Sequence, residues 1–249
     1  MKKLRLGEFE RNSLVVFAIT MIANVLSYLY QIVMGNVLTP ADYGTVNTLL
    51  SLSVVVGVPS GIISALTATY TAKYHAHGET FAIAAFMHGM LRVAAVLAAI
   101  VFVVGALLSR PIAHVLQIDD PHYVTVVMVL VASNCLGPVF SSTLQGVKRF
   151  IPYSMNSVLS FAFRLLLGVI FVWLGWGIPG ALAALILAAC LTMLYCLFKS
   201  RDLFFAPVKE KLALDRTEIR RYFVSTFWFQ LFLLLMANGD VLLIKTFAA

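Results

Sequence analysis

The sequence predicts an all-α integral membrane protein: a six-helix transmembrane bundle followed by a seventh transmembrane helix, with the N-terminus in the cytoplasm. Of its 249 residues, 61% are hydrophobic and only 12% are charged, and the mean hydropathy is +0.94. Soluble domains are about half apolar and a quarter charged, so a water-soluble fold of this size could not bury so much apolar surface. Seven long apolar runs and a one-sided distribution of basic residues support the same prediction.

The apolar runs are long enough to be membrane spans, because a helix of about 20 apolar residues crosses the hydrocarbon core. They lie at residues 13–38, 43–72, 81–109, 122–144, 152–174, 177–198 and 221–248. Turn residues separate them, as in "LTPADYG" between the first two spans and "GWGIPG" between the fifth and sixth. The second span is interrupted at "VGVPSG", where Pro59 removes a helical hydrogen bond.

The basic residues indicate the orientation. With the N-terminus inside, the inner segments carry 14 Lys and Arg residues, whereas the outer loops carry Arg110 alone. This is the positive-inside pattern, so the basic surplus reflects topology and contact with membrane lipids, and not nucleic acid. The sequence therefore divides into a six-helix unit at 1–198, a basic cytoplasmic linker at 199–220 and a seventh helix at 221–249.

One arginine, Arg164, lies in the middle of the fifth span. It follows Pro152, at the inner start of this span, by a distance of about 18 Å along a helix. A charge at this depth normally faces a bundle interior or a wet cavity, and Ser160 lies on the same side of the helix. We expect Arg164 and Ser160 to bind substrate; the alternative for Arg164 is a buried ion pair with Asp240 of the seventh span.

Other polar residues lie at comparable depths. The first span carries Asn24 and Gln31 in a polar stripe, and the third carries His88 and Arg92 one turn apart. We expect Asn24, Gln31, Arg92 and Asp240 to contribute to substrate binding and His88 to coupling. The alternatives are helix–helix packing for the uncharged residues, an interior position for His88, snorkelling or a local pair for Arg92, and an ion pair for Asp240.

The sequence shows no constellation typical of an enzyme. It lacks a nucleophile elbow, a phosphate-binding loop and paired catalytic carboxylates, and its three cysteines lie in apolar runs without metal-ligand spacing. We therefore predict no enzyme activity, no metal site and no cofactor. Polar groups at mid-membrane depth suit transport, and arginine without nearby carboxylates favours an anionic cargo such as a phosphate or diphosphate.

Several segments resemble one family of transporters. The stretch "YQIVMGNVLTPADYGTVNTLLSL" resembles the first hairpin of the polysaccharide-exporting flippases of the multidrug/oligosaccharidyl-lipid/polysaccharide exporter superfamily, with Thr39 in place of the usual glycine. "LQGVKRF" resembles the Gln-Gly-x-x-Arg-Phe inner loop of that family. "GIPGALAA" and "NGDVLLIKTF" resemble the opening of its sixth helix and the start of its second half. The order and spacing of these segments, together with the N-in topology, match the family over nearly the whole chain.

The resemblance implies two six-helix lobes around a central cavity, of which this chain would be the first lobe plus the seventh helix. A C-terminal lobe or a second protomer would complete it. Relatives carry lipid-linked oligosaccharides, such as the O-antigen units of lipopolysaccharide biosynthesis, across the inner cell membrane by alternating access. The implied ligand is a polyprenyl-diphosphate-linked glycan, and Arg164 is a better candidate than Arg92 to bind its diphosphate.

Three other functions stay open at this stage. A cation-coupled multidrug exporter of the same superfamily would need carboxylates in its cavity, and the first six spans contain none. A lipid II flippase would carry a closely related cargo. A non-transporting membrane subunit of a glycan assembly complex would have the same spans without moving a substrate.

Overall fold

The computed structural model describes residues 2–118, 120–206, 225–226, 228–230 and 232, with side chains from residue 13 onward. Within these residues the chain is helical, with short turns between the helices. In chain order the helices are α1 (Lys2–Val37), α2 (Pro40–Val56), α3 (Val58–Ala76), α4 (Thr80–Leu107), α5 (Ser109–Val115), α6 (Pro121–Gly146), α7 (Phe150–Trp173), α8 (Gly177–Lys199) and α9 (Arg201–Phe204). The expected all-α fold class is confirmed.

The first six predicted spans all correspond to helices. Five of the described helices are long and apolar enough to cross a membrane, with α1 qualifying from Ser13 onward. The second predicted span is the pair α2 and α3, which bend by 48° at Gly57. Pro59 lies in the first turn of α3, where its missing N–H leaves no helical bond unmade. The break expected at "VGVPSG" is therefore confirmed.

Two of the helix starts show why the sequence turns where it does. Thr39 caps α2 by accepting a hydrogen bond from the Asp42 N–H at 3.2 Å, and Pro40 follows it. Asp120 caps α6 in the same way by accepting a hydrogen bond from the His122 N–H at 2.9 Å, and the residue that follows it is again a proline. Each pair combines an N-cap oxygen with a proline already fixed at a helical φ.

Helix α6 lies at the centre of the bundle and packs against α3, α4 and α8, whereas α1 packs mainly against α7. The α3–α6 contact is close: a Cβ on Gly146 would lie 2.7 Å from the Thr71 Cβ and 2.9 Å from the Ala68 carbonyl oxygen. Ser64 and Ser142 add a hydrogen bond of 2.7 Å between the same two helices. Small residues and a hydroxyl pair are the usual means of packing membrane helices.

The short helix α9 joins the end of α8 to the α6–α7 connection. Arg149, just before α7, donates to both carboxylate oxygens of Asp202 and, at 3.0 Å, to the Lys199 carbonyl. The ion pair raises the pKa of Arg149 and lowers the pKa of Asp202 through their shared hydrogen bonds. The first residues of the predicted linker 199–220 are thus fixed to the α6–α7 connection.

The predicted seventh span at 221–248 lies mostly outside the described residues. Of its polar residues, Gln230 is described, and its side-chain amide nitrogen lies 3.2 Å from the position of a Cβ on Gly61 of α3. Residues 207–220 of the linker and Asp240 also lie outside the described residues. The division of the chain at residues 198 and 220 stays a prediction.

Candidate functional site

A cavity of about 600 Å³ lies among α2, α3, α6, α7 and α8, and it is called the large cavity below. Its wall is built from helical positions that share one face, such as Asn156, Ser160 and Arg164 at steps of four on α7. Helix α6 adds Asn134 and Ser141 in the same manner. The lining is therefore rich in hydroxyl and amide groups, although the helices that carry it are mostly apolar.

A second cavity of about 130 Å³ lies between α1, α2 and α7, and it is called the small cavity below. Its lining combines aromatic rings with hydroxyl and amide groups, from Ser27, Tyr30, Gln31, Tyr43, Asn47 and Phe161. Arg164, Asn47 and Leu50 line both cavities. Arg164 therefore lies in the wall between the two.

Arg164 is the one charged side chain among the described residues that line either cavity. Its Nε atom is buried and has no hydrogen-bond partner within the described part of the chain. Its guanidinium carbon lies 5.4 Å from the centroid of the Phe161 ring, a cation–π distance that helps to hold the side chain. Arg164 is half-buried, and a guanidinium group in a cavity wall without a carboxylate beside it among the described residues favours an anionic ligand.

Tyr30, like Arg164, has a buried polar atom without a hydrogen-bond partner among the described residues. Its side chain is 8% exposed, and its hydroxyl group is buried without a hydrogen-bond partner among the described residues. Tyr30 lies against α7 at Gly168, where a Cβ would be 3.5 Å from the tyrosine ring and 3.3 Å from the Met34 sulfur. Gly168 thus allows α1 and α7 to approach closely enough to enclose the small cavity.

The structure brings three of the predicted binding residues to these cavities. Ser160 lines the large cavity, Gln31 lines the small cavity, and Arg164 lines both. Asn24, from the same predicted stripe as Gln31, is exposed on α1 and lines neither cavity. Among these four residues the binding roles stay predictions, with Arg164 best placed to fill one.

The two polar residues of α4 lie elsewhere. Arg92 is exposed and lines neither cavity. His88 is half-buried: its Nδ1 lies 2.8 Å from the Ala84 carbonyl oxygen, and its ring stacks on Phe204 of α9 at 4.4 Å. The predicted roles of Arg92 in binding and of His88 in coupling are not supported by proximity to the cavities. Asp240 lies outside the described residues, so its pairing with Arg164 stays a prediction.

Several lining residues were absent from the predicted site: Tyr30, Tyr43, Asn47, Phe161, Asn134 and Asn156. The aromatic residues of apolar spans give no signal in the sequence, because lipid-facing and cavity-facing rings have the same composition. Asn47 and Asn134 carried a usable signal, since each amide lies within an apolar run at a depth where an unpaired amide is costly.

Comparisons with known proteins agree with this architecture. The family described as polysaccharide biosynthesis protein matches residues 9–249 of the chain. No curated protein matches the sequence significantly.

The similar solved structures are transporters. A MATE transporter from Vibrio cholerae, VcmN in its bent form, aligns with a TM-score of 0.72 and 17% identity, covering 96% of this chain and 58% of that one. A MOP superfamily transporter from Pyrococcus furiosus aligns with a TM-score of 0.64 and 16% identity, covering 88% and 52%. At this identity the likeness establishes a shared fold, and the chain spans about half the length of these transporters.

Proposed function

We propose that this chain, which belongs to the family of polysaccharide biosynthesis proteins, forms one lobe of a flippase. The flippase would move a lipid-linked oligosaccharide or polysaccharide precursor, such as an O-antigen unit, across the cytoplasmic membrane by alternating access. The family match confirms the resemblance seen in the sequence, and the shared fold is that of membrane transporters. The cargo and the transport cycle are the proposed part.

The observation that carries this proposal is Arg164 in the wall between the two cavities. A cargo built on a polyprenyl diphosphate has one strongly anionic group, placed between a lipid tail and sugars. A guanidinium group binds a phosphate through two parallel hydrogen bonds, which fixes the orientation as well as the position of the ligand. Arg164 would therefore meet the diphosphate, while the hydroxyl and amide groups of the large cavity would meet sugar hydroxyls.

The charge of the cavities disfavours a cationic cargo. No Asp or Glu among the described residues lines either cavity, so a positively charged drug would meet Arg164 without a counter-ion. The match to multidrug transporters of the MATE family concerns the fold and does not transfer their cargo to this chain. A cation-coupled drug exporter is therefore the weaker candidate.

A working transporter would need more than the residues described. The solved transporters that share the fold are about twice as long as the stretch that this chain matches. The missing partner would be a C-terminal lobe or a second protomer, and the surrounding membrane lipids would supply the medium for the polyprenyl tail. Such a protein would lie in the inner membrane as a multi-pass protein.

The test replaces Arg164 in the complete protein and measures both transport and stability. We expect Arg164→Ala and Arg164→Gln to fold but to lose roughly 10- to 150-fold in transport, the equivalent of one charge-assisted hydrogen bond. Arg164→Lys should retain weak activity, because lysine keeps the charge and loses the paired geometry. Accumulation of lipid-linked glycan in cells and the melting temperature in detergent are the measurements.

Substitutions of two other arginines serve as comparisons in this experiment. Arg110 is exposed at the start of α5, so Arg110→Ala controls for the loss of a positive charge. Arg92→Ala tests the second arginine predicted from the sequence. A stable Arg164→Ala variant with normal transport would refute the proposal. Poor folding of Arg164→Ala that is rescued by Asp240→Asn would show instead a buried ion pair, whose disruption costs about 3–5 kcal/mol.

A further inference from the structure

The short helix α9 packs against α4 and α6 at the end of the bundle where α7 begins. Leu203 is 7% exposed and belongs to one apolar cluster with residues of those two helices, among them Ile83, Met87 and Leu144. The ring of Phe204 stacks on the ring of His88 at 4.4 Å between centroids, and it lies 5.7 Å from the ring of Phe140. Two consecutive side chains of α9 thus hold it to the bundle by apolar contacts.

A second attachment of α9 is polar. The Arg149 guanidinium group donates to both carboxylate oxygens of Asp202, with one of these bonds at 2.9 Å. It also donates, at 3.0 Å, to the carbonyl of Lys199, the last residue of α8. A guanidinium–carboxylate pair with two parallel hydrogen bonds fixes orientation as well as distance. Arg149 therefore attaches the start of α7 to α9 and to the end of α8.

The same contacts continue to the wall of the large cavity. Asn156 of α7 and Cys196 of α8 both line it, and the Cys196 thiol donates to the Asn156 side-chain oxygen at 3.2 Å. One turn after Cys196, the Ser200 hydroxyl group donates to the Cys196 carbonyl at 2.8 Å, and Ser200 directly precedes α9. Asn156 lies two turns after Arg149. Helix α9 is therefore attached to α7 and to α8 within two turns of the cavity wall.

We infer that α9 is the anchor through which a movement of this lobe reaches the linker, and that Asp202 and Phe204 are positioning residues for transport. This inference rests on the proposed function, because it requires a second lobe that moves relative to the first. The predicted linker 199–220 begins with the residues of α9. A linker transmits a movement only when its end is fixed to the moving body, so a loose α9 would let α7 and α8 move without displacing it.

The exposure of the ion pair makes positioning separable from stability. The Arg149 and Asp202 side chains are 40% and 51% exposed, so their pair contributes little to the free energy of folding. The buried Leu203 supplies the apolar contact instead. Breaking the ion pair should therefore loosen α9 while leaving the rest of the bundle folded.

The experiment loosens α9 in the complete protein with Asp202→Asn. Hydrogen exchange of the Leu203 and Phe204 amides reports on α9, because both N–H groups donate to the Ser200 carbonyl at 3.0 Å. We expect these amides to exchange about twofold to fivefold faster, and transport to fall by a similar factor, as for the loss of one exposed ion pair. The Kd for polyprenyl diphosphate should not change. Lipid-linked glycan accumulation in cells reports on transport.

Two further variants test the same anchor. Phe204→Ala removes the ring that stacks on His88, so we expect a larger effect on exchange and transport, roughly tenfold or more. Asp202→Glu keeps the carboxylate and should retain more transport than Asp202→Asn. If Phe204→Ala does not fold, the Asp202 variants decide, since that side chain is exposed.

Matched controls are available within and beside α9. Arg201 is exposed and lies over the Phe198 ring at 4.8 Å, so Arg201→Ala removes a charge from α9 and leaves the Arg149–Asp202 pair in place. Phe205 is 75% exposed, so Phe205→Ala removes an aromatic ring that is not packed into the bundle. Both controls should exchange and transport like the wild type.

The outcomes separate this inference from the proposed function. Faster exchange at α9 with normal transport, or unchanged exchange in both Asp202→Asn and Phe204→Ala, would overturn the anchor and leave the flippase proposal standing. Failure of polyprenyl diphosphate to bind the wild type, or binding unaffected by Arg164→Ala, would overturn both. Faster exchange with reduced transport at an unchanged Kd, and with both controls like the wild type, would support the anchor.

Discussion

Helices α6 and α7 follow one another in the chain and are similar in length and hydropathy, yet the fold uses them differently. They have 26 and 24 residues, the same mean hydropathy, and both lie wholly within the described part of the chain. Twelve residues of α6 are buried, whereas in α7 only Ser154 and Gly168 are. Hydropathy therefore identifies a membrane span without showing whether it lies at the centre or the edge of the bundle.

Both helices line the large cavity, but only one of them carries a charge. In α6, Ser142 is paired with Ser64 of α3, so its hydroxyl group holds two helices together, whereas Asn134 and Ser141 line the large cavity. In α7, Arg164 lines the small cavity as well as the large one. The charged residue is thus on the helix that borders both cavities.

Buried polar atoms without partners show the same contrast. Within the described residues they include the hydroxyl groups of Thr67 and Thr71 on α3, which packs against α6, the hydroxyl group of Tyr30 on α1 and the Nε atom of Arg164 on α7. Thr67 and Thr71 line neither cavity, whereas Tyr30 and Arg164 do. All four atoms are buried, so each lowers stability as long as it has no hydrogen-bond partner.

The largest effect on stability is expected at the α3–α6 contact. Gly146→Ala would place a methyl group within 2.9 Å of a backbone oxygen, which cannot move without shifting α3. We expect a loss of about 1–3 kcal/mol, measured as a lower melting temperature in detergent. Gly137→Ala on the same helix is the control, because no atom of another described helix lies within 4 Å of its Cβ position.

The control should behave in the opposite way. Gly137 lines the large cavity, so an alanine there adds helix propensity without a clash and should leave stability equal or higher by up to about 1 kcal/mol. If Gly146→Ala were as stable as Gly137→Ala, the close packing assigned to the centre of the bundle would be wrong.

The next effect concerns the unpaired hydroxyl of Thr67. Thr67→Val keeps the branched shape and removes a buried oxygen that has no partner among the described residues. We expect stability to rise by about 1 kcal/mol and transport to be unchanged, because the residue lines neither cavity. A lower melting temperature for this variant would contradict the assignment and show that the hydroxyl group is satisfied in the complete protein.

The smallest effect is expected at the Arg149–Asp202 pair, which fixes the start of α7 to α9. Both side chains are substantially exposed, so the pair should contribute about 0.5 kcal/mol. The pKa of Asp202 is lowered by its hydrogen bonds to Arg149. The contribution is therefore present above the ordinary aspartate pKa of about 3.9 and is lost as the pH falls through the lowered value.

The measurement for this pair is the melting temperature of wild type and Asp202→Asn across pH. The two proteins should differ at pH 7 and low salt, and the difference should shrink in high salt and disappear at acidic pH. A difference that persists at acidic pH would mean that Asp202 acts through packing and not through its charge.

Much of the fold follows from local features of the sequence. The apolar runs predict the first six spans, and Pro59 predicts the break that divides the second span into α2 and α3. Thr39 and Asp120 lie where helices begin, since their oxygens can accept from backbone N–H groups. Each of these features depends on residues within a few positions of one another.

The candidate site follows from the sequence only in part. Arg164 is identifiable because a charge in the middle of a span needs a polar environment wherever the helix lies. Asn24 and Gln31 look equivalent in the sequence, but in the structure Gln31 lines the small cavity and Asn24 does not. The orientation of α1 against α7 decides this difference, and Gly168 makes their close approach feasible.

The sequence by itself determined that the chain is an all-α membrane protein, where its first six spans lie, and that Arg164 is the charge in need of a partner. The tertiary structure decided that α6 is central and lines the large cavity, that α7 borders both cavities, and that Tyr30 and Phe161 lie beside Arg164. The physical reason is the separation along the chain of the residues that each feature needs. Apolar content and helix caps act over a few residues, whereas a cavity wall is assembled from helices far apart in the chain.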